Sequence, residues 1–380
     1  MESFDDIRPY HDAEVAPVLH ELVRNKQLLN AVGHFQFGEM PEFARNLMRP
    51  LVERKLRKLV AGVDNVHALQ QSIKSMLEKV IDRTTDELTW SGIEHLPKDK
   101  PCLLLSNHRD IVMDPALVNY VLHETGRNTA RIAIGDNLLS RPYISDLMRL
   151  NKSFIVRRSI TGRREKLQAL LQLSAYIRHS LGEQENVWIA QREGRAKDGN
   201  DRTDTAILKM LHMGFRADQL SFSDMLNHLN IVPVSISYEY DPCDVAKARE
   251  LVARTTNGSY NKEENEDLNS IVTGIEGFKG RVHVAFGTPI NPELETPVTV
   301  AEEIDRQMHS LYRLWPSNWL ARDILEGREQ HDGWRDQFDG ADLAKQEALF
   351  RERLEQCPEE ARSWFLKIYA NPVFNQQVVV

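Results

Sequence analysis

Two textures divide the chain. Up to about residue 95, apolar positions recur at helical spacing, most clearly over 15–31 and 42–60. In the second stretch Phe43, Leu47, Leu51 and Leu59 share a broad face. The opposite face carries Arg45, Arg49, Arg54, Lys55, Arg57 and Lys58, and Pro50 is expected to kink or divide the helix. From about residue 88, short apolar runs alternate with longer amphipathic stretches. Strands are predicted at 102–106, 130–134, 153–156, 187–190, 231–238 and 281–286, with helices over 114–124 and 162–181. That alternation predicts an α/β fold: a central, mostly parallel sheet flanked by helices. The polar stretch 254–270 reads as an exposed insertion. Thr299 and Glu302 have capping-box spacing and open a helical tail in which Ile304, Met308, Leu311 and Trp315 share a face. Residues 343–369 also read as helical. The chain therefore divides into a helical region 1–87, an α/β domain 88–298 and a helical region 299–380.

Composition narrows the function classes. The 380 residues are 41% hydrophobic and 27% charged, which excludes a collagen-like, disordered or polytopic membrane chain. The net charge of −8 implies no bulk attraction to nucleic acid, so any anion site must be a local basic patch. Cys102, Cys243 and Cys357 lie far apart and form neither a disulfide framework nor a zinc spacing, so reduced thiols are expected. The acidic N-terminus lacks the apolar core of a signal peptide, and no apolar run approaches 18 residues. A cytoplasmic protein is the expectation.

Four stretches carry candidate chemistry. Ser106–Asn107–His108 begins where a buried strand ends, the position at which open α/β sheets gather ligands. Asp110 and Asp114 follow, and either carboxylate could orient one ring nitrogen of His108 and raise the basicity of the other. This is the logic of a hydrolase triad without its serine, suited to a substrate that brings its own hydroxyl. Helix-dipole carboxylates beside a surface histidine, or a metal site built from the same three side chains, are the competing readings. Next, Phe154-Ile155-Val156 delivers Arg157 and Arg158, and residues 152–166 hold six basic side chains against one acid. Paired guanidinium forks suit phosphate. A third run, Val187–Ala190, enters a loop holding Arg192, Glu193, Gly194 and Arg195, where glycine permits close backbone approach. The fourth, Ile231-Val232-Pro233-Val234, reads as a buried strand whose proline suggests an edge, bulge or strand start.

Taken together, the order and spacing of these stretches resemble the glycerolipid acyltransferase superfamily, the glycerol-3-phosphate and lysophosphatidate acyltransferases. The matching blocks are Asn107-His108…Asp114, Phe154-Ile155-Val156-Arg157, Glu193-Gly194-Arg195 and Ile231-Val232-Pro233-Val234. They cover roughly 88–240. Two features depart from the family pattern: five residues rather than four separate His108 from Asp114, and no residue stands between Gly194 and Arg195. Asp110 thus stays beside Asp114 as a candidate partner. The resemblance implies that His108 deprotonates an acceptor hydroxyl, which attacks an acyl thioester on coenzyme A or acyl carrier protein. Arg157, Arg158, Glu193, Gly194 and Arg195 would hold a glycerophosphate or lysophospholipid acceptor. No cofactor beyond the acyl donor, and no metal, is implied. A lipid product implies contact with a membrane. The stretch 42–60, with six basic and two acidic side chains beside an apolar face, could lie on an anionic leaflet or simply pack on the catalytic domain. A metal-dependent hydrolase and a lipid-phosphate or acyl-carrier binding protein with a decayed site are the alternative functions.

Overall fold

The computed structural model describes residues 4–37, 41–139, 141–263, 265–327 and 333–379. Two compact units arise. One joins the residues up to Lys79 with Ala130–Tyr176, and the other joins Val80–Thr129 with Ile177–Val380. The strands are β1 (Thr85–Ser91), β2 (Leu103–Ser106), β3 (Arg131–Gly135), β4 (Ser153–Val156), β5 (Val187–Ala190), β6 (Ile231–Tyr238) and β7 (Gly280–Phe286). The α/β class and the mostly parallel pairing are as the alternation predicts; of the pairings described, only β6 with β7 is antiparallel.

In the second unit, five strands run in the order β1–β7–β6–β2–β5. β2 lies between β6 and β5, so both its faces must be apolar, and Leu103, Leu104 and Leu105 are fully buried. β6 is buried along its whole length. The strand is buried as expected, and Pro233, its third residue, stands near the strand start on an interior strand, which rules out the edge among the three places its proline suggested. Its carbonyl accepts from Gly287, and the β6–β7 register begins only at Val234↔Phe286. The missing N–H faces the same side, just past the last register pair, so the proline forgoes only the reciprocal bond to Gly287 at the end of the ladder. β1, half-exposed at the sheet margin, went unpredicted because its sequence Thr-Asp-Glu-Leu-Thr-Trp-Ser is too polar to read as a strand.

Helices correct several sequence boundaries. The stretch 15–31 is two helices, Asp12–Leu22 and Lys26–Phe37. Pro50 does not divide Glu42–Leu59, which is one helix. Its buried contact is Val52, whereas Leu47, Leu51 and Leu59 are exposed; the side chains of Phe43 and Arg45 lie outside those described. About half of the supposed insertion 254–270 belongs to the end of helix Asp244–Asn257 and the start of helix Glu266–Glu276. The tail helix opens earlier than predicted, with Thr296 as N-cap accepting from the Thr299 amide at 3.1 Å. Pro358 separates Gly340–Gln356 from Arg362–Val379 within the predicted 343–369 helix. These last two, with Pro316–Glu326 and Asp244–Asn257, bury a common core of Tyr240, Trp334, Phe350, Phe365 and Tyr369. The C-terminal helices are thereby integral to the second unit.

Candidate active site

At the carboxyl end of β2, Asn107 extends the ladder with its side chain. Its Nδ2 donates to the Ile236 carbonyl at 3.0 Å and its Oδ1 accepts from the Ile236 amide at 2.8 Å. A second bond from Nδ2 reaches Asp201 at 3.1 Å. An amide serves here because it donates and accepts at once. The chain then turns, and the His108 carbonyl accepts from the Ala196 amide at 2.8 Å. The His108 backbone is thus held between β6 and the loop after β5.

The imidazole is held by one carboxylate. His108 Nδ1 donates to Asp114 Oδ2 at 2.9 Å. The same oxygen accepts the amides of Arg109 at 2.6 Å and Asp110 at 2.9 Å, and Oδ1 accepts the Tyr238 hydroxyl at 2.7 Å. Asp114 is fully buried while the His108 side chain keeps 16% of its surface exposed. Nδ1 therefore donates, leaving the Nε2 lone pair as the acceptor. Trp188 meets the ring edge-on at 5.5 Å. Asp110 has a different task. Its Oδ1 accepts the amides of Val112 at 3.0 Å and Met113 at 2.8 Å, at the entry to the helix Met113–Glu124. Burial and the nearby Asp114 charge push its carboxyl pKa up. Helix Glu266–Glu276 approaches so closely that a Cβ at Gly274 would fall 2.0 Å from Asp110 Oδ2.

Charged side chains beneath this loop were not legible in sequence. Buried Arg109 pairs with Asp201 at 2.6 Å and donates to the Gly199 carbonyl at 3.2 Å. Lys247 donates to the Arg109 carbonyl at 2.7 Å and pairs with Asp241. Tyr238 lies 124 residues from Asp114 along the chain. No local pattern announces such partners.

The third block shares the sheet end with the first. The parallel register Ser106↔Ala190 aligns the two strand ends, and the Gln191 amide donates to the Ser106 carbonyl at 2.8 Å. Gly194 has φ +77°, in the left-handed region that favours glycine. Glu193 is exposed and Arg195 half-buried, its Nη2 3.5 Å from Ser270 Oγ. His108, Asp114, Asp110, Glu193, Gly194 and Arg195 thus belong to one unit, the second.

Arg157 and Arg158 belong to the first unit. Phe154 anchors β4, buried against Tyr176 with ring centroids 5.1 Å apart. Arg157 is exposed and pairs with Asp6, which also accepts from Gln172 Nε2 at 3.0 Å. The N-terminal segment is tied to β4 by the Ile155 amide, which donates to the Ile7 carbonyl at 2.9 Å. Arg158 is exposed, its amide bonded to Asp136 Oδ1 at 3.0 Å. Among the described residues no group of three or more His, Cys, Asp or Glu side chains is placed to hold a metal ion. None of the described helices is long and apolar enough to cross a membrane.

Comparison with known proteins agrees with the block order. No curated protein matches the chain significantly. A solved structure, the 1-acyl-sn-glycerophosphate (LPA) acyltransferase PlsC from Thermotoga maritima, aligns over 80% of this chain and 98% of that chain. The identity is 14% and the TM-score 0.36, a likeness too low to carry weight. The model of the family described as Acyltransferase matches residues 87–237, which span all four blocks. Residues 87–237 are thus similar to the family described as Acyltransferase, in line with the resemblance carried by the order of the four blocks.

Proposed function

We propose that the protein transfers a fatty acyl chain from an acyl thioester to a hydroxyl of glycerol 3-phosphate or a lysophosphatidate-like acceptor. The donor is carried on coenzyme A or acyl carrier protein. The observation that carries this reading is the bond from His108 Nδ1 to the buried Asp114, which leaves Nε2 free to act as general base. Nε2 takes the acceptor's hydroxyl proton as that oxygen attacks the thioester carbonyl. The new C–O bond forms, the C–S bond breaks, and the departing thiolate takes the proton back from the imidazolium. Asp114 stabilises the imidazolium, and its four donors keep the carboxylate in place. The block resemblance assigns Arg157, Arg158, Glu193, Gly194 and Arg195 to the acceptor's phosphate and polyol.

A lipid product sets the reaction at a membrane surface. Support comes from helix Glu42–Leu59, where Leu47 is 78% exposed and Leu51 56%; in one unbroken helix the exposed Arg54, Lys55 and Lys58 fall on that same face, which corrects the expectation that they lie opposite it. Exposed leucines beside cations suit an anionic leaflet.

The test is release of free thiol from acyl-coenzyme A and acyl carrier protein donors, with glycerol 3-phosphate or lysophosphatidate added. Acceptor-dependent release that disappears in His108→Ala is expected. Release without acceptor indicates a thioesterase, and no release from any pair overturns the proposal.

A further inference from the structure

The Asp114 carboxylate is held from both sides. Three donors converge on Oδ2: His108 Nδ1 and the amides of Arg109 and Asp110. Oδ1 receives one bond, from the Tyr238 hydroxyl at 2.7 Å. Tyr238 ends β6, is 5% exposed, and lies near the charges of Asp110 and Asp241 as well as Asp114. Burial, followed by those carboxylates, pushes its phenol pKa well above the usual range, so the hydroxyl donates to Asp114 near neutrality. The other charged groups of this neighbourhood are occupied. Lys247 pairs with Asp241, Arg109 pairs with Asp201, and Lys279 donates to Thr84, Ile275 and Gly277. Asp110 Oδ1 accepts two backbone amides.

We propose that Tyr238 is a positioning residue for the reaction: it locks the rotation of the Asp114 carboxylate and sets the proton affinity of the His108–Asp114 pair. This rests on the reading of His108 as general base. A donor on each oxygen prevents rotation about Cβ–Cγ, which keeps Oδ2 aligned with His108. The bond to Oδ1 also draws charge from the carboxylate. Without it the buried pair holds a proton more tightly, whichever member carries that proton.

The test is the pH profile of kcat/KM. Tyr238→Phe removes a single oxygen. Its acid limb should move to higher pH, and turnover near neutrality should fall about tenfold, with both substrate KM values unchanged. Site-specific 3-fluorotyrosine at position 238 keeps the shape and makes the phenol a stronger donor, so its acid limb should move to lower pH. That variant also supplies the answer if the phenylalanine protein fails to fold. Unmoved limbs, or limbs that move the same way in both variants, overturn the proposal. Normal turnover in His108→Ala would instead overturn the underlying reading, whatever the Tyr238 variants do.

Discussion

His108 and Arg157 come from the first two blocks, each just beyond a parallel strand, yet their surroundings are opposite. His108 leans on a fully buried carboxylate that accepts four hydrogen bonds. Arg157 stands 38% exposed with an acid exposed to 43%, Asp6, as its ionic partner. In a low-dielectric interior a satisfied network is strong and rigid. An exposed ion pair contributes roughly 0–1 kcal/mol and rearranges easily. The difference matches the two tasks proposed for them. Proton transfer needs an atom fixed within hydrogen-bond reach. Recognition of an anion needs a charge that can be reached and released. The buried network holds the imidazole rigidly, whereas the exposed guanidinium remains free to exchange one anion for another.

That contrast can be broken by substitution. The largest effect belongs to the rigid side: His108→Ala should lower turnover by about a thousandfold while thermal unfolding stays unchanged. Normal turnover would show that the buried network serves structure alone. Asn107→Ala should act on stability. It strips two bonds from the Ile236 backbone in a buried site, a loss of about 2–3 kcal/mol that denaturant titration would read. An unchanged midpoint would mean that water or a neighbour takes over the amide's role. On the exposed side, Arg157→Ala should raise the acceptor KM about tenfold and leave kcat alone, because it removes binding made equally in ground and transition states. A fall in kcat with constant KM would move Arg157 from recognition to chemistry. The smallest effect is that of Asp6→Asn, which removes the competing carboxylate. Stability should change by less than about 1 kcal/mol and the acceptor KM should fall. A raised KM would show that Asp6 holds Arg157 in its working pose.

How far the site was legible depended on range. His108 and its two candidate acids lie within seven residues, so local order exposed them. Choosing between the acids did not follow from spacing. Asp110 lies where a helix begins, and its carboxylate is taken by the amides of Val112 and Met113. Asp114, one turn later, points back to the loop. The place of Pro233 within its buried strand was left open for a related reason: a proline's cost depends on which neighbouring strand its missing N–H faces, and sequence does not show where that neighbour ends. Strand β1 was missed because a polar margin strand has no apolar run to reveal it.

The sequence by itself determined the α/β class, since an alternation of strand and helix periods leaves few ways to bury both kinds of apolar face. It also singled out His108 as the candidate base, through the order of four short blocks. Tertiary structure alone decided what surrounds that histidine. Asn107 joins β6, Tyr238 reaches Asp114, Lys247 holds the Arg109 carbonyl and Asp6 pairs with Arg157 across separations of 124 to 151 residues. Helical and strand periods arise between near neighbours and repeat along the chain, so sequence reports them. A hydrogen bond between distant residues has no period, and it exists only once the sheet and its helices have brought the two groups together.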